Sequence, residues 1–566
     1  MFLRSGPIVA ALAFLVGAAP APEPIDWQIV PVLEDGHVTH IDFSLTFSGD
    51  EDGETVVELP DQWGGQRELY RGLRDFSASG ASLEPGADAA HLVLRHAPGA
   101  TVTLTWTLGG GSDAPPAKRG GNDYRPRFEP DYFFFIGYTA LPWPEHVSDT
   151  TPAHVRLEPT QGLQIVSDLQ HDPDGNTTFS ALGQSAMFGG DIRIIDAGGG
   201  ARLGLVGTFD TVDDAYWQDT FSRISRAERV YWKSKDAPFL VTVIAEQMAP
   251  EVYSIGGTGL GDAFSIFASA NIDGKDVAPL LAHEMMHSWI PHRIGRMPEE
   301  NEARHYWLSE GFTEWASFRI LVREGIWSAA DFADAFNTSA KALDLSPIRD
   351  ADAEAIADGF WSNPDMGRLP YQKGMLIASW LDGKIREKTK GKRDLDDVLL
   401  RMQKAAAKDD QAGIYDLLIR SVKKVGGWDP SADLETMAMN GGPVSLPEDL
   451  FAPCGRISTE EQAVWERGFD FAATRAAGWK IQGVTEGSAA WEAGLRNGME
   501  LRAWSENQNE RDPMQEKTAQ VADGDKLRAI TWRPMGRETR PVRSLEIAAE
   551  LSGKDEAACL KRLSGL

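Results

Sequence analysis

The ten residues LLAHEMMHSW, from Leu280 to Trp289, constrain this chain more than any other stretch. Positions four apart lie on one face of an α-helix. His283 and His287 can therefore hold one metal ion together, with Glu284 one step round the helix, in reach of a water at that ion. The residues before them suit a helix start: Asp276 is the expected N-cap and Pro279 the expected first-turn proline.

Two histidines need a third ligand to make a site. One class of zinc protease takes a third His six residues after the second, with a Gly between; here those positions are Arg293 and Ile290, which excludes it. The other class takes a Glu from a second helix. Glu310, in WLSEGFTEW, stands 23 residues after His287 and just before an apolar run that would bury its helix. His283, His287 and Glu310 would bind one Zn²⁺ per chain and leave a fourth position open for chemistry. Glu314, one turn beyond Glu310, can accept a hydrogen bond from a ligating His. His292 and His305 fall outside the ligand pattern and read as solvated or structural. Tyr371, in LPYQKGMLIASWLD, reads either as an oxyanion donor or as a helix-start residue packed on the core.

The totals bound the rest. A chain of 566 residues has room for about three domains. A 42% apolar and 25% charged composition is that of globular proteins. The net charge of −28 argues against nucleic-acid binding, which needs clustered Lys and Arg. Arg4, the apolar run Ile8–Gly17 and the small residues Ala18, Ala19 and Ala21 read as a signal peptide over 1–21. The run is too short to span a bilayer, which takes about 20 residues. The expectation is export to the periplasm or medium with no stable membrane anchor. The two cysteines, Cys454 and Cys559, could form one disulfide or remain two buried thiols; neither has a CxxC partner, so they make no metal site.

Along the chain, HVTHIDFSLTF, ATVTLTWTL and ARLGLVGTF alternate apolar and polar residues. They predict an N-terminal all-β sandwich over 22–208, interrupted by a long loop at Gly109–Asp123. Helical patterns then dominate 209–447, among them DDAYWQDTFSRISRAERVYW, with PFLVTVIAE as a buried strand and Gly325 and Gly391 as helix stops. Strand patterns return over 448–566.

Three segments resemble the M61 family of zinc aminopeptidases, the glycyl aminopeptidases, relatives of the M1 aminopeptidases. HEMMHSW is similar to that family's HExxHxW, WLSEGFTEW to its W-x-x-E-G-x-T, and YQKGMLIASWLD to its Y-x-K-G helix. The C-terminal GFDF (Gly468–Phe471) and VTEGSAAWEAGLRNGMEL resemble a PDZ domain, which can hold the C-terminus of a peptide. The resemblance implies a thermolysin-like α+β catalytic domain, mostly helical, between the β domain and a PDZ-like domain. It implies His283, His287 and Glu310 as zinc ligands, Glu284 as general base and Tyr371 as the oxyanion-stabilising residue. It also implies a Glu in a G-G-L-E-H-like segment to hold the substrate amine. IGGTGLGD supplies Gly256 and Gly257 but no such Glu, so Gly256, Gly257 and Asp262 are the expected substrate-binding residues. The expected activity is that of an aminopeptidase favouring small N-terminal residues such as Gly or Ala. The alternatives are an endopeptidase or oligopeptidase with the same site, and an inactive peptide-binding scaffold.

Overall fold

The computed structural model describes residues 23–565 apart from 65, 110–123, 159–161, 172–175, 236, 249–252, 299, 505–511, 524–525 and 550. The signal-peptide segment and nearly all of the loop expected at 109–123 lie outside the described residues.

The alternating strands at the N-terminus do form sheets. Ile25–Glu34 lies between His37–Ser48 and Pro152–Leu157 in a six-stranded sheet, its odd-numbered residues turned inward. Trp27, Phe43 and Trp106 stack in series at 5.6 and 5.2 Å, and Phe135 meets Phe43 edge-on. The core takes residues from three sheets: Val57 and Leu94 come from a second, and Phe133, Phe135 and Met187 from a third. The arrangement is thus three sheets around one core, where a two-layer sandwich was expected.

The boundary expected at 208 is displaced. Arg193–Gly198 and Ala201–Val206 are hydrogen-bonded into the next sheet, whose order continues through Phe239–Glu246 and Ala263–Ser269 to the edge strand Ile255–Gly259. The two central strands of that sheet are apolar on both faces because both faces are covered. Val241, Val243, Phe264 and Ile266 face the helices, whereas Leu240, Ile244 and Phe267 face Phe134, Ile136 and Phe188 of the N-terminal domain. A buried Arg127–Glu246 ion pair crosses that second interface, with the guanidinium 4.3 Å over the Phe267 ring.

Helices Asp214–Trp232, Gly274–Met286, Tyr306–Arg323 and Pro364–Thr389 build the other layer. Gly325 and Gly391 follow two of them with positive φ, as helix stops do.

The C-terminal region is not one unit. Gly455–Trp465 and Met535–Ile547 pair as a two-stranded ribbon. With helix Lys554–Ser564 they join the core of the helical layer through Ile457, Leu545, Cys559 and Leu563. Between the ribbon strands, residues 466–534 form a small module with its own core of Phe469, Ile481, Leu501, Val521 and Trp532 around a three-stranded sheet. The module is therefore an insertion, where a domain over 448–566 was expected. A helix, Phe471–Ala476, follows GFDF, capped by Asp470. Asp470 N–H is bonded to the Gln482 carbonyl. Cys454 and Cys559 are bonded, joining the base of the ribbon to the C-terminal helix across 105 residues.

Candidate metal centre

The metal helix is Gly274–Met286. Its N-cap is Asp273, whose side chain accepts from Lys275 N–H at 3.0 Å. The expected cap, Asp276, lies inside the helix and takes the Tyr253 hydroxyl instead. Pro279 consequently sits beyond the first turn. His287 follows the last helical residue with φ −59° and ψ −21°, so it keeps the helical direction and stays beneath His283.

Glu310 comes from the second helix, Tyr306–Arg323. Its Oε2 lies 3.3 Å from His283 Nε2 and 3.3 Å from His287 Nε2, and the two nitrogens are 3.1 Å apart. Donors at about 2.0–2.1 Å from a tetrahedral ion lie about 3.3 Å from one another, so this triangle is the size a zinc ion requires. The outer nitrogens are held as well. Glu314 Oε2 lies 3.1 Å from His283 Nδ1, and the Ile290 carbonyl 2.8 Å from His287 Nδ1. These two acceptors can each take an Nδ1–H, the arrangement in which both Nε2 atoms are available to a metal ion. Burial alone would raise the Glu310 carboxyl, but the two imidazoles beside it hold it well below the usual carboxylate range. His283 is desolvated, yet its bonds to Glu310 and Glu314 raise it well above an ordinary histidine.

Glu284 points toward the edge strand Ile255–Gly259: a Cβ placed on Gly259 would come within 3.3 Å of its Oε2. Burial raises this carboxyl, while His283 and His287 pull it down. A raised carboxyl is suited to accepting and returning a proton.

Tyr371 lies in the helix Pro364–Thr389, which begins a full seven residues before it, so it is not a helix-start residue. Its ring stacks beside His283 at 5.7 Å, and burial, together with the Glu310 and Glu284 carboxylates, raises its hydroxyl well above an ordinary tyrosine. Two glycines bring this helix so close. A Cβ on Gly311 would lie 2.2 Å from Gly374 Cα, and one on Gly374 would lie 1.9 Å from the Trp307 carbonyl oxygen. The helices touch backbone to backbone, one residue from Glu310 on one side and about one turn from Tyr371 on the other. The G in SEGF and the G in YQKG are the sequence signal for this contact, and periodicity alone does not reveal it.

The three expected substrate-binding residues separate. Ser269 N–H bonds the Ser254 carbonyl and Leu260 N–H bonds the Ala263 carbonyl. The unbroken register between these pairs places Gly256 on the side of the neighbouring strand and Ile255, Gly257 and Gly259 at the free edge. The main-chain groups of Gly256 are thus used inside the sheet. The Gly257 carbonyl faces out and accepts the Tyr124 hydroxyl at 2.6 Å. Asp262 lies just past the edge strand, about half exposed, 3.4 Å from Arg293. Gly259 and Tyr124, missed in the sequence, belong to this edge. His292 borders a cavity of about 690 Å³ beside the metal helix, with Arg293, Arg296 and Glu302, and makes no ligand contact.

A helix-borne His-Glu-His pair, a carboxylate from the next helix and a sheet edge beside Glu284 come together at this candidate metal centre. Residues 276–358 match the family model described as M61 glycyl aminopeptidase. That segment holds all three donors. Leucine aminopeptidase 2 of Pyricularia oryzae is 26% identical over 213 residues, covering 35% of this chain and 32% of the relative. Leucine aminopeptidase 2 of Aspergillus niger is likewise 26% identical, over 35% and 31%. The chain thus spans about a third of the length of these curated relatives. An aminopeptidase N family protein from Idiomarina loihiensis has the same fold, with a TM-score of 0.66 at 17% identity, covering 92% of this chain and 98% of that one.

Proposed function

We propose that this protein is a zinc-dependent aminopeptidase that removes small N-terminal residues such as Gly or Ala. The observation that carries the reading is the triangle of His283 Nε2, His287 Nε2 and Glu310 Oε2, at 3.1–3.3 Å, with Glu284 beside it. When bound there, zinc supplies a Lewis acid that polarises a peptide carbonyl and makes water acidic near neutral pH. Glu284 accepts the proton of the attacking water and returns it to the leaving amine. Tyr371 donates its hydroxyl to the oxygen that gains charge. Gly259 offers outward main-chain groups to an extended substrate. The preference for small residues rests on the family description matched by residues 276–358.

A second reading, endopeptidase action, is favoured by one observation: no Glu follows Gly257 in IGGTGLGD. Digestion of a peptide library by the mature protein, with and without chelator, separates the two. The aminopeptidase releases single residues and spares N-acetylated peptides; internal products of both kinds would replace it with the endopeptidase. We also place the protein outside the cytoplasm. The bonded pair Cys454–Cys559 supports this, since such bonds persist in oxidising compartments. The PDZ-like module over 466–534 is a second candidate site, for the C-terminus of a peptide.

A further inference from the structure

The cavity of about 690 Å³ beside the metal helix takes no part in the chemistry above, yet two of its flanks adjoin the metal donors. One flank starts at Pro291, directly after the Ile290 carbonyl that braces His287. Another holds Glu302, which accepts the Tyr306 hydroxyl at 3.4 Å; Tyr306 lies one turn before Glu310 on the same helix. A third comes from the end of helix Leu395–Ala406, with Lys404 on it. Backbone bonds fix the walls. Arg296 N–H bonds the Ala412 carbonyl at 2.9 Å, and Ile414 N–H bonds the Arg296 carbonyl at 3.0 Å. Gly295, at φ 146°, passes so near this contact that a Cβ would lie 2.6 Å from Ile414 Cα. The cavity is therefore a built feature, within the range of about 300–1,000 Å³ that small-ligand sites occupy.

Its charge runs against that of the chain. Asp and Glu outnumber Lys and Arg by 84 to 56 in the whole sequence. In this lining Arg293, Arg296 and Lys404 stand against two carboxylates, Glu302 and Asp410. Glu302 is engaged by Tyr306, and Asp410 accepts from the Gln411 amide at 3.3 Å. Arg293 reaches out to Asp262 at 3.4 Å. Lys404 makes no ion pair or hydrogen bond among the described residues. An uncommitted ammonium beside two guanidinium groups suits an anion with two oxygens.

We propose that this cavity is a substrate subsite that binds a carboxylate, with Lys404 as its main contact and Arg293 and Arg296 beside it. The carboxylate belongs to the peptide being cleaved, as an Asp or Glu side chain or as the chain's own C-terminus. Both present the same pair of oxygens to the cations. This proposal rests on the metallopeptidase reading above and narrows its substrate class to peptides with a carboxylate near the scissile bond. Recognition then comes from charge in the cavity and is independent of the sheet edge.

The test measures kcat and KM of the full-length wild type, Lys404→Ala and Lys404→Glu on alanine tetrapeptides with a free N-terminus. One set is amidated at the C-terminus and carries Glu, or Gln as its control, at each position in turn. The other compares the all-alanine free acid with its amide. Wild type should favour one Glu peptide over its Gln partner, or the acid over the amide, by about tenfold or more, through KM. The first result identifies a side chain as the source, the second the C-terminus. Lys404→Ala should lose most of that preference and Lys404→Glu should reverse it, with kcat on the neutral peptides unchanged. The wild-type preference should also shrink as salt is raised, because exposed charges are screened. Three results overturn the proposal while hydrolysis of the neutral peptides keeps the metallopeptidase reading: no preference in either set, a preference that Lys404→Glu leaves intact, or an equal fall on every peptide. Wild-type protein with no chelator-sensitive hydrolysis would instead remove that reading, and the subsite with it.

Discussion

At the scale of single residues, the candidate metal donors were legible because the chemistry they would serve fixes their spacing. His283 and His287 must be four apart to share an ion, and Glu310 had to come from a helix that packs alongside. The position of Glu314 followed from the helix of Glu310, whereas spacing left Tyr371 open and only the resemblance implied its role. Asp276 was misread as the cap because acidic residues occupy positions 273 and 276 alike; the chain turns at Asp273, and Tyr253 claims the other. Gly259 and Tyr124 were not legible, since their roles depend on contacts across the sheet and across 133 residues of sequence. The bond from His283 Nδ1 to Glu314 has a consequence of its own. Glu314→Gln keeps the shape but weakens the acceptor that orients His283. It should lower zinc affinity about 10–100-fold, measured by competition with a chromogenic chelator. Unchanged affinity would show that Glu314 does not orient the ligand.

Among the elements, the closest constraint is the crossing of Tyr306–Arg323 with Pro364–Thr389. Gly311 and Gly374 allow the backbones to touch, and nothing larger fits without moving Tyr371 away from Glu310. Gly374→Ala should therefore lower kcat while costing about 1–3 kcal/mol of stability through overpacking. Circular dichroism melts and peptidase assays read the two effects separately. A variant with wild-type kcat would show that Tyr371 tolerates the shift. The strands of the catalytic sheet were legible as apolar runs, but the membership of Arg193–Val206 was not. Its alternation fits either neighbouring sheet, and only its pairing with Phe239–Glu246 decides.

Over the whole molecule, the C-terminal helix is clamped to the helical layer that carries the candidate metal centre. Asp382, almost wholly buried, is paired with Arg562 of that helix and, at 3.0 Å, with Arg386. Burial would raise its carboxyl, but Arg562, Arg319 and Arg386 hold it well below the usual range. A carboxyl depressed in the fold stabilises it at pH above the unfolded value near 3.9, and that stability is lost as pH falls below it. Asp382→Asn should cost about 3–5 kcal/mol at pH 7, because it leaves the buried Arg562 without its carboxylate partner, whereas Arg386 keeps Asp394. It should also flatten the loss of stability below about pH 4, read from urea titrations at several pH values. An acid limb as steep as wild type would assign that loss to other groups. The insertion of residues 466–534 between the ribbon strands belongs to this scale too. Sequence order made the C-terminal region read as one domain, because the pairing of Gly455–Trp465 with Met535–Ile547 closes over about 70 intervening residues.

The central claim is that His283, His287 and Glu310 hold a catalytic zinc with Glu284 as its base. Glu284→Gln tests it most directly, with metal content by mass spectrometry and hydrolysis of a free glycyl or alanyl peptide measured on one preparation. The account predicts one zinc per chain in both proteins and a fall in kcat of about 10²–10⁴-fold in the variant. Wild-type turnover in the variant, or a wild-type protein that binds no zinc, would contradict it.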